Sequence, residues 1–199
     1  TARQNIAAAG YGTDKAIFGY GNSGSVTAIT NLVNNVGVVA ADVSGVGTAR
    51  QLLAGATYGT DKAIFAYGGV PYTAISNLVN SSGVVASDTS GVGTTRNQVA
   101  AATYGTDKAI FGYGDNGPSV SLTNLVSNLG VVATDTTGVG TARNTLAAAG
   151  IADGKAIFGY GNNGSKSSLT NLVSNTGVVS ADVAGVGTAR GLLAAASYG

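Results

Sequence analysis

The sequence predicts an all-β chain: a β-propeller of four four-stranded blades of about 47 residues, with one surplus strand at the C-terminus. Three observations carry this. The phrase K-A-I-F-[GA]-Y-G recurs at Lys15, Lys62, Lys108 and Lys155. The phrase G-V-G-T-[AT]-R ends at Arg50, Arg96, Arg143 and Arg190, and a truncated T-A-R opens the chain at Arg3. Short apolar runs alternate throughout with Gly-rich turns, which is an all-β pattern. The blades fall at 1–47, 48–93, 94–140 and 141–187, and 188–199 repeats the opening strand.

Within the first unit, Arg3 to Ala9 is an apolar stretch of strand length, closed by the turn residues Tyr11-Gly12-Thr13-Asp14. Lys15 to Phe18 is a short, strongly apolar strand ending in Gly19-Tyr20-Gly21, and Asn22 to Gly24 is a loop. Thr27 to Val33 is predicted as a third strand and Gly37 to Ala41 as a fourth. Asp42 to Gly47 leads into the next Thr-Ala-Arg. Helix competes for the A-A-A and T-N-L-V segments because Ala and Leu favour it. Segments of 5 to 8 residues between glycines, rich in β-branched side chains, argue against it.

Four short strands per unit is the arithmetic of a propeller blade; a β-helix coil is shorter, and helical repeats need longer amphipathic stretches. Blades stack face to face. That explains why K-A-I-F and G-V-V-A are continuous apolar runs, and why small residues such as Ala7, Ala8 and Ala9 recur where sheets must approach closely.

The third unit shows the order most clearly. Arg96 is followed by Val99 to Ala102, Tyr104-Gly105, Lys108 to Phe111, Gly112-Tyr113-Gly114, Leu122 to Val126, Gly130 to Ala133 and then Arg143. This order resembles the kelch-type propeller repeat over the whole chain. The chain has Gly-Tyr-Gly where a kelch blade has adjacent glycines, Ala66 replaces the first glycine in the second copy, and there is no Trp. The resemblance implies a propeller-like blade and a binding platform, and it brings no active site with it.

Composition narrows the function. Cys, Met, Trp, His and Glu are absent, so the sequence offers no disulfide, no thiolate metal site and no His base for a nucleophile. A net charge of +1 supplies no field for nucleic acid or an anionic membrane, and no apolar run reaches membrane-span length. There is no leader-like segment or initiator Met, as expected of a mature product or a fragment. Low charge, no thiols and abundant Gly and small residues fit an extracellular or virion-surface protein. No cofactor or metal is expected, and the chain is not expected to be an enzyme.

Of 19 charged side chains, only Asp115 and Lys166 lie outside the repeat pattern. Arg50, Arg96, Arg143 and Arg190, with Asp42, Asp88, Asp135 and Asp182, are expected to serve the frame by capping turns and pairing. The functional alternative is a ring of equivalent charges around a central channel. The copies differ most in the loop after K-A-I-F-G-Y-G, and variation within a repeated frame suits a binding face. Candidate glycan contacts are Asn22, Tyr72, Asp115, Asn116, Asn162 and Asn163 in those loops, with Tyr20, Tyr67, Tyr113 and Tyr160 as stacking surfaces. The expected partners are other copies or subunits of an assembly, with surface glycans as the alternative. The spare strand suggests an edge that templates another chain.

Overall fold

A computed structural model describes residues 1–197. These contain no helix; they form four three-stranded antiparallel sheets, one per repeat. The first sheet comprises β1 (Ala7–Tyr11), β2 (Lys15–Gly19) and β3 (Thr30–Val33). The second comprises β4 (Ala54–Tyr58), β5 (Lys62–Ala66) and β6 (Ser76–Val79). The third comprises β7 (Ala100–Tyr104), β8 (Lys108–Gly112) and β9 (Thr123–Val126). The fourth comprises β10 (Ala147–Ile151), β11 (Lys155–Gly159) and β12 (Thr170–Val173). The register repeats: Ala8 faces Phe18 as Ala101 faces Phe111, and Ile17 faces Leu32 as Ile110 faces Leu125.

The expected fourth strand is replaced by an irregular edge. Val39 bridges Val33 and Val43 bridges Thr30, so three residues on the outer segment oppose two on β3. That extra residue is a β-bulge, which bends the segment and breaks the ladder. The side chain of Asn31 holds the bulge, donating to the Ala40 carbonyl at 3.1 Å and to Asp42 Oδ1 at 2.9 Å. Asn77, Asn124 and Asn171 do the same in the other sheets. The first and third strands are also displaced from expectation. Arg3 to Ile6 precede β1, and β3 begins at Thr30, three residues beyond the expected start.

The sheets stack in chain order, with β1 beside β4, β4 beside β7 and β7 beside β10. Burial along the middle strands shows which face meets which neighbour. In β5 and β8, both the Ile and the Phe are fully buried. In β2, Ile17 is buried and Phe18 only half-buried, whereas in β11 Phe158 is buried and Ile157 half-buried. Each Ile therefore faces the following sheet and each Phe the preceding one, and the first and last sheets each keep one face open.

The five Ala-rich segments converge. Ala8–Gly10, Gly55–Thr57, Ala101–Thr103, Ala148–Gly150 and Ala195–Ser197 line one narrow cavity of about 300 Å³. Small side chains are required here because the backbones nearly touch; a Cβ on Gly55 would lie 2.8 Å from the Ala8 carbonyl. A strap of backbone hydrogen bonds runs beside the cavity in a single direction. Leu52 donates to Asn5, Gln98 to Leu52, Thr145 to Gln98 and Leu192 to Thr145.

The expected surplus strand occupies the fifth position without becoming a strand. Gly161 donates to the Arg190 carbonyl at 2.8 Å, as Gly21 does to Arg50, but residues 193–197 are irregular. Their hairpin partner, a further K-A-I-F strand, does not follow in this sequence, and a lone strand edge has nothing to ladder with. Residues 198 and 199 of that expected strand lie outside the described residues.

Candidate functional site

The densest chemistry lies in the seams between sheets, and Arg96 shows how a seam is built. Gly112-Tyr113-Gly114 ends β8 with an abrupt turn in which Tyr113 has φ 62° and Gly114 φ 105°. A left-handed Tyr costs of order 1 kcal/mol or more, so the surrounding contacts must hold it. The turn delivers the Tyr113 carbonyl to Arg96 Nε at 2.9 Å. Arg96 also donates to the Thr94 carbonyl and to Asn124 Oδ1, and stands 3.6 Å from Asp135. Its guanidinium lies over the ring of Tyr67 in the preceding unit, 4.3 Å from the centroid. Tyr67 in turn packs on Phe111, with centroids 5.5 Å apart.

Arg96 thus belongs to two units at once. Its hydrogen bonds organise its own repeat, while its face covers the neighbour's tyrosine. Arg50 over Tyr20, Arg143 over Tyr113 and Arg190 over Tyr160 repeat the stacking. Arg50, Arg96 and Arg143 are fully buried and Arg190 is exposed. A buried guanidinium is tolerable because a planar fork can place all its donors at once.

Asp135 completes the unit by accepting from the Thr94 amide and hydroxyl and from Asn124 Nδ2. Thr48 with Asp88 and Thr141 with Asp182 repeat the arrangement, and at Asp42 the Thr1 ammonium takes the place of the amide. The glycine before Thr94 is obligatory, since a Cβ on Gly93 would fall on Asp135 Oδ1. Partial burial pushes Asp88, Asp135 and Asp182 up. Their Thr and Asn donors more than offset this and hold all three below the ordinary carboxylate range. A depressed folded-state pKa contributes stability that is present above the unfolded value and lost as pH falls through the folded one. Urea midpoints are therefore expected to drop as pH falls below about 4, and Asp135→Asn should make that acid limb shallower. Burial pushes the Tyr67 and Tyr113 hydroxyls up to about 12 against the pull of the neighbouring arginines, so both stay neutral donors.

The stacking role expected of the tyrosines is corrected here. Tyr20, Tyr67 and Tyr113 are fully buried, with an arginine on one side and the next Phe at the ring, and they offer no face to a sugar. Tyr160 is half-buried, with Arg190 over its ring and no Phe packed on it among the described residues. Among the described residues no charged side chain lines the cavity on which the Ala-rich segments converge; its lining is Ala, Gly, Thr and Ser. The Lys–Asp pairs at Asp14–Lys15, Asp61–Lys62, Asp107–Lys108 and Asp153–Lys155 lie at the surface, half-buried at most, and contribute little.

The loop candidates separate into two kinds. Asn22, Asp115 and Asn162 occupy one repeat position, and each accepts from the backbone amide two residues on, which shapes the turn. Asn163 is exposed, whereas Asn116 is half-buried with an unpartnered side-chain oxygen. Of these candidates Tyr72 and Asp115 come together, and Asn144 joins them. The exposed Tyr72 hydroxyl donates to Asp115 Oδ1 at 2.8 Å, and Asn144 donates to Asp115 Oδ2 at 3.2 Å. The sequence reading passed over the four asparagines of the [TS]-N-L-V strands, which are the hubs of the network. The available signal was a polar residue fixed in an apolar run in every copy.

Among the described residues no three acidic or metal-binding side chains cluster, and no helix is long and apolar enough to cross a membrane. The chain matches no protein-family model, and no curated protein matches it.

Proposed function

We propose that the chain is a non-enzymatic structural or adhesive repeat module, displayed on a virion, a surface appendage or another extracellular assembly. The observation that carries this reading is the use of the repeated side chains. The Asn hub and the Asp fix the buried Arg within its own repeat, and that Arg and the left-handed Tyr carry the contact to the neighbouring sheet. An enzyme needs an asymmetric site, and here the conspicuous chemistry is spent equally on every seam. On this reading the sheets are kelch-like blades of a propeller-type array. Arg190, standing over Tyr160, fills the place that Arg3 would take if four blades closed a ring. Immunogold labelling of intact particles and cells of the source is the test. Label on an outer surface is expected, and label confined to the cell interior would refute the placement.

Glycan binding is the second reading, supported by the cluster of Tyr72, Asp115 and Asn144, where an exposed ring sits beside amide and carboxylate groups. If it holds, a glycan array gives hits that Tyr72→Ala abolishes without moving the melting temperature. An array with no hits removes it.

A further inference from the structure

We infer that Asn163 is a site of spontaneous covalent modification, through a succinimide to aspartate and isoaspartate, and that Asn116 in the third unit is shielded from the same reaction. Asn-Gly occurs twice in the chain, at Asn116-Gly117 and Asn163-Gly164, both times in the variable loop after K-A-I-F-G-Y-G. A glycine after the asparagine favours the reaction, because it brings no side chain to the ring that must close. The two dipeptides are identical, and the folded loops around them are not.

Asn163, Gly164, Ser165 and Lys166 are all exposed. The Asn163 amide donates to the Ser165 carbonyl at 3.1 Å and the Gly164 amide to Asn162 Oδ1 at 2.8 Å, which leaves the Asn163 side chain unbonded among the described residues. Gly164 has φ 106°, with nothing within 4 Å of the place a Cβ would take. Such a loop tip opens readily, so the ring can close from the folded chain. The Gly164 nitrogen attacks Asn163 Cγ and gives up its proton to water, and the side-chain nitrogen leaves as ammonia. Water then opens the five-membered ring at either carbonyl, giving aspartate or a backbone routed through the side-chain carbon. Each event adds one negative charge and takes the formal net charge from +1 to zero. The new carboxylate arises in the loop that carries Lys166, one of the two charged residues outside the repeat pattern.

Asn116 is half-buried, and its side-chain oxygen is enclosed. The Gly117 amide, the nucleophile here, donates to Asp115 Oδ1 at 2.9 Å, a carboxylate where the fourth unit has a neutral amide. A charge-assisted bond holds that proton more firmly, and the carboxylate opposes the negative charge the nitrogen must develop. Asp115 is in turn clamped from both sides. Tyr72 of the preceding unit donates to Oδ1 at 2.8 Å and Asn144 of the following unit to Oδ2 at 3.2 Å. The Asn162 side chain bonds only within its own loop among the described residues. One Asn-Gly pair is therefore locked by its neighbours and the other is left to react, so newly made and aged molecules differ in the charge of a single exposed loop.

Peptide mapping of the folded chain during prolonged incubation in mildly alkaline buffer tests this, with asparagine, aspartate and isoaspartate resolved by chromatography and mass. Asn163 should convert at least about tenfold faster than Asn116. In urea, where neither loop is held, the two rates should converge. Asp115→Asn keeps an acceptor for the Gly117 amide, as Asn162 does for Gly164, but removes the charge. Combined with Tyr72→Phe, which removes the clamp from the preceding unit, it should bring Asn116 up towards the rate of Asn163, whose own rate stays unchanged as the internal reference. Asn163→Gln should abolish the fast conversion, because the larger ring closes slowly. Equal rates in the folded chain, or no conversion at Asn163, overturn the inference. A difference that persists in urea overturns it as well, because Pro118 after Gly117 and not the fold would then be the cause. An Asn116 rate unmoved in the double variant refutes the shielding by Asp115.

Discussion

Arg96→Ala is expected to destabilise the chain by about 3–5 kcal/mol, the range for removing one partner from a buried charged network. The loss has three sources. The carbonyls of Tyr113 and Thr94 and the amide oxygen of Asn124 lose their donor in a place water reaches poorly. Tyr67 loses the cation over its ring. Asp135 keeps its Thr94 and Asn124 donors but loses its nearest positive charge. Arg96→Lys should recover only part, because an ammonium cannot reach three directions with a planar fork. Arg190→Ala is the comparison: that side chain is exposed where it stacks on Tyr160, so its loss should stay within about 1 kcal/mol. Urea unfolding of the three variants settles the matter, and equal losses at Arg96 and Arg190 would refute the account of the seam.

Phe111→Ala should lower stability by about 3–5 kcal/mol, as large-to-small changes do in close-packed cores. Phe111 is fully buried against Tyr67, and removing it opens a cavity between two sheets whose backbones cannot close further. Phe18 has the same strand position and register, yet no preceding sheet covers it. Phe18→Ala should therefore lose less than half as much when the chain is held dilute. Calorimetry or urea unfolding of both variants gives the ratio. A ratio near one would mean that something covers Phe18 after all.

The all-β class and the repeat were legible because period and turn chemistry are local. Lys15 to Gly19 became a strand almost as expected, since a β-branched and aromatic run between a hairpin turn and glycines has few other options. The G-V-V-A segment misled for a physical reason. Its apolar pattern is that of a strand, but the Asn31 side chain takes hydrogen bonds that a ladder would have used, and the resulting bulge is set from another strand. The tyrosines were legible as seam residues or as binding surfaces. Only the position of Arg50 over Tyr20, a contact between units, decides between these. The loop residues Asn22 and Asn162 looked variable and turned out to share one backbone role, because Asn, and Asp at 115, cap the turn in the same way.

The one-way strap of hydrogen bonds beside the Ala-lined cavity, Leu52 to Asn5 and onward to Leu192, treats every unit alike. Each link asks the preceding unit only for a carbonyl and the following one only for an amide. Inserting or deleting 46 or 47 residues therefore leaves every remaining link satisfied. In this architecture the number of units can change by one without any inner seam having to be rebuilt.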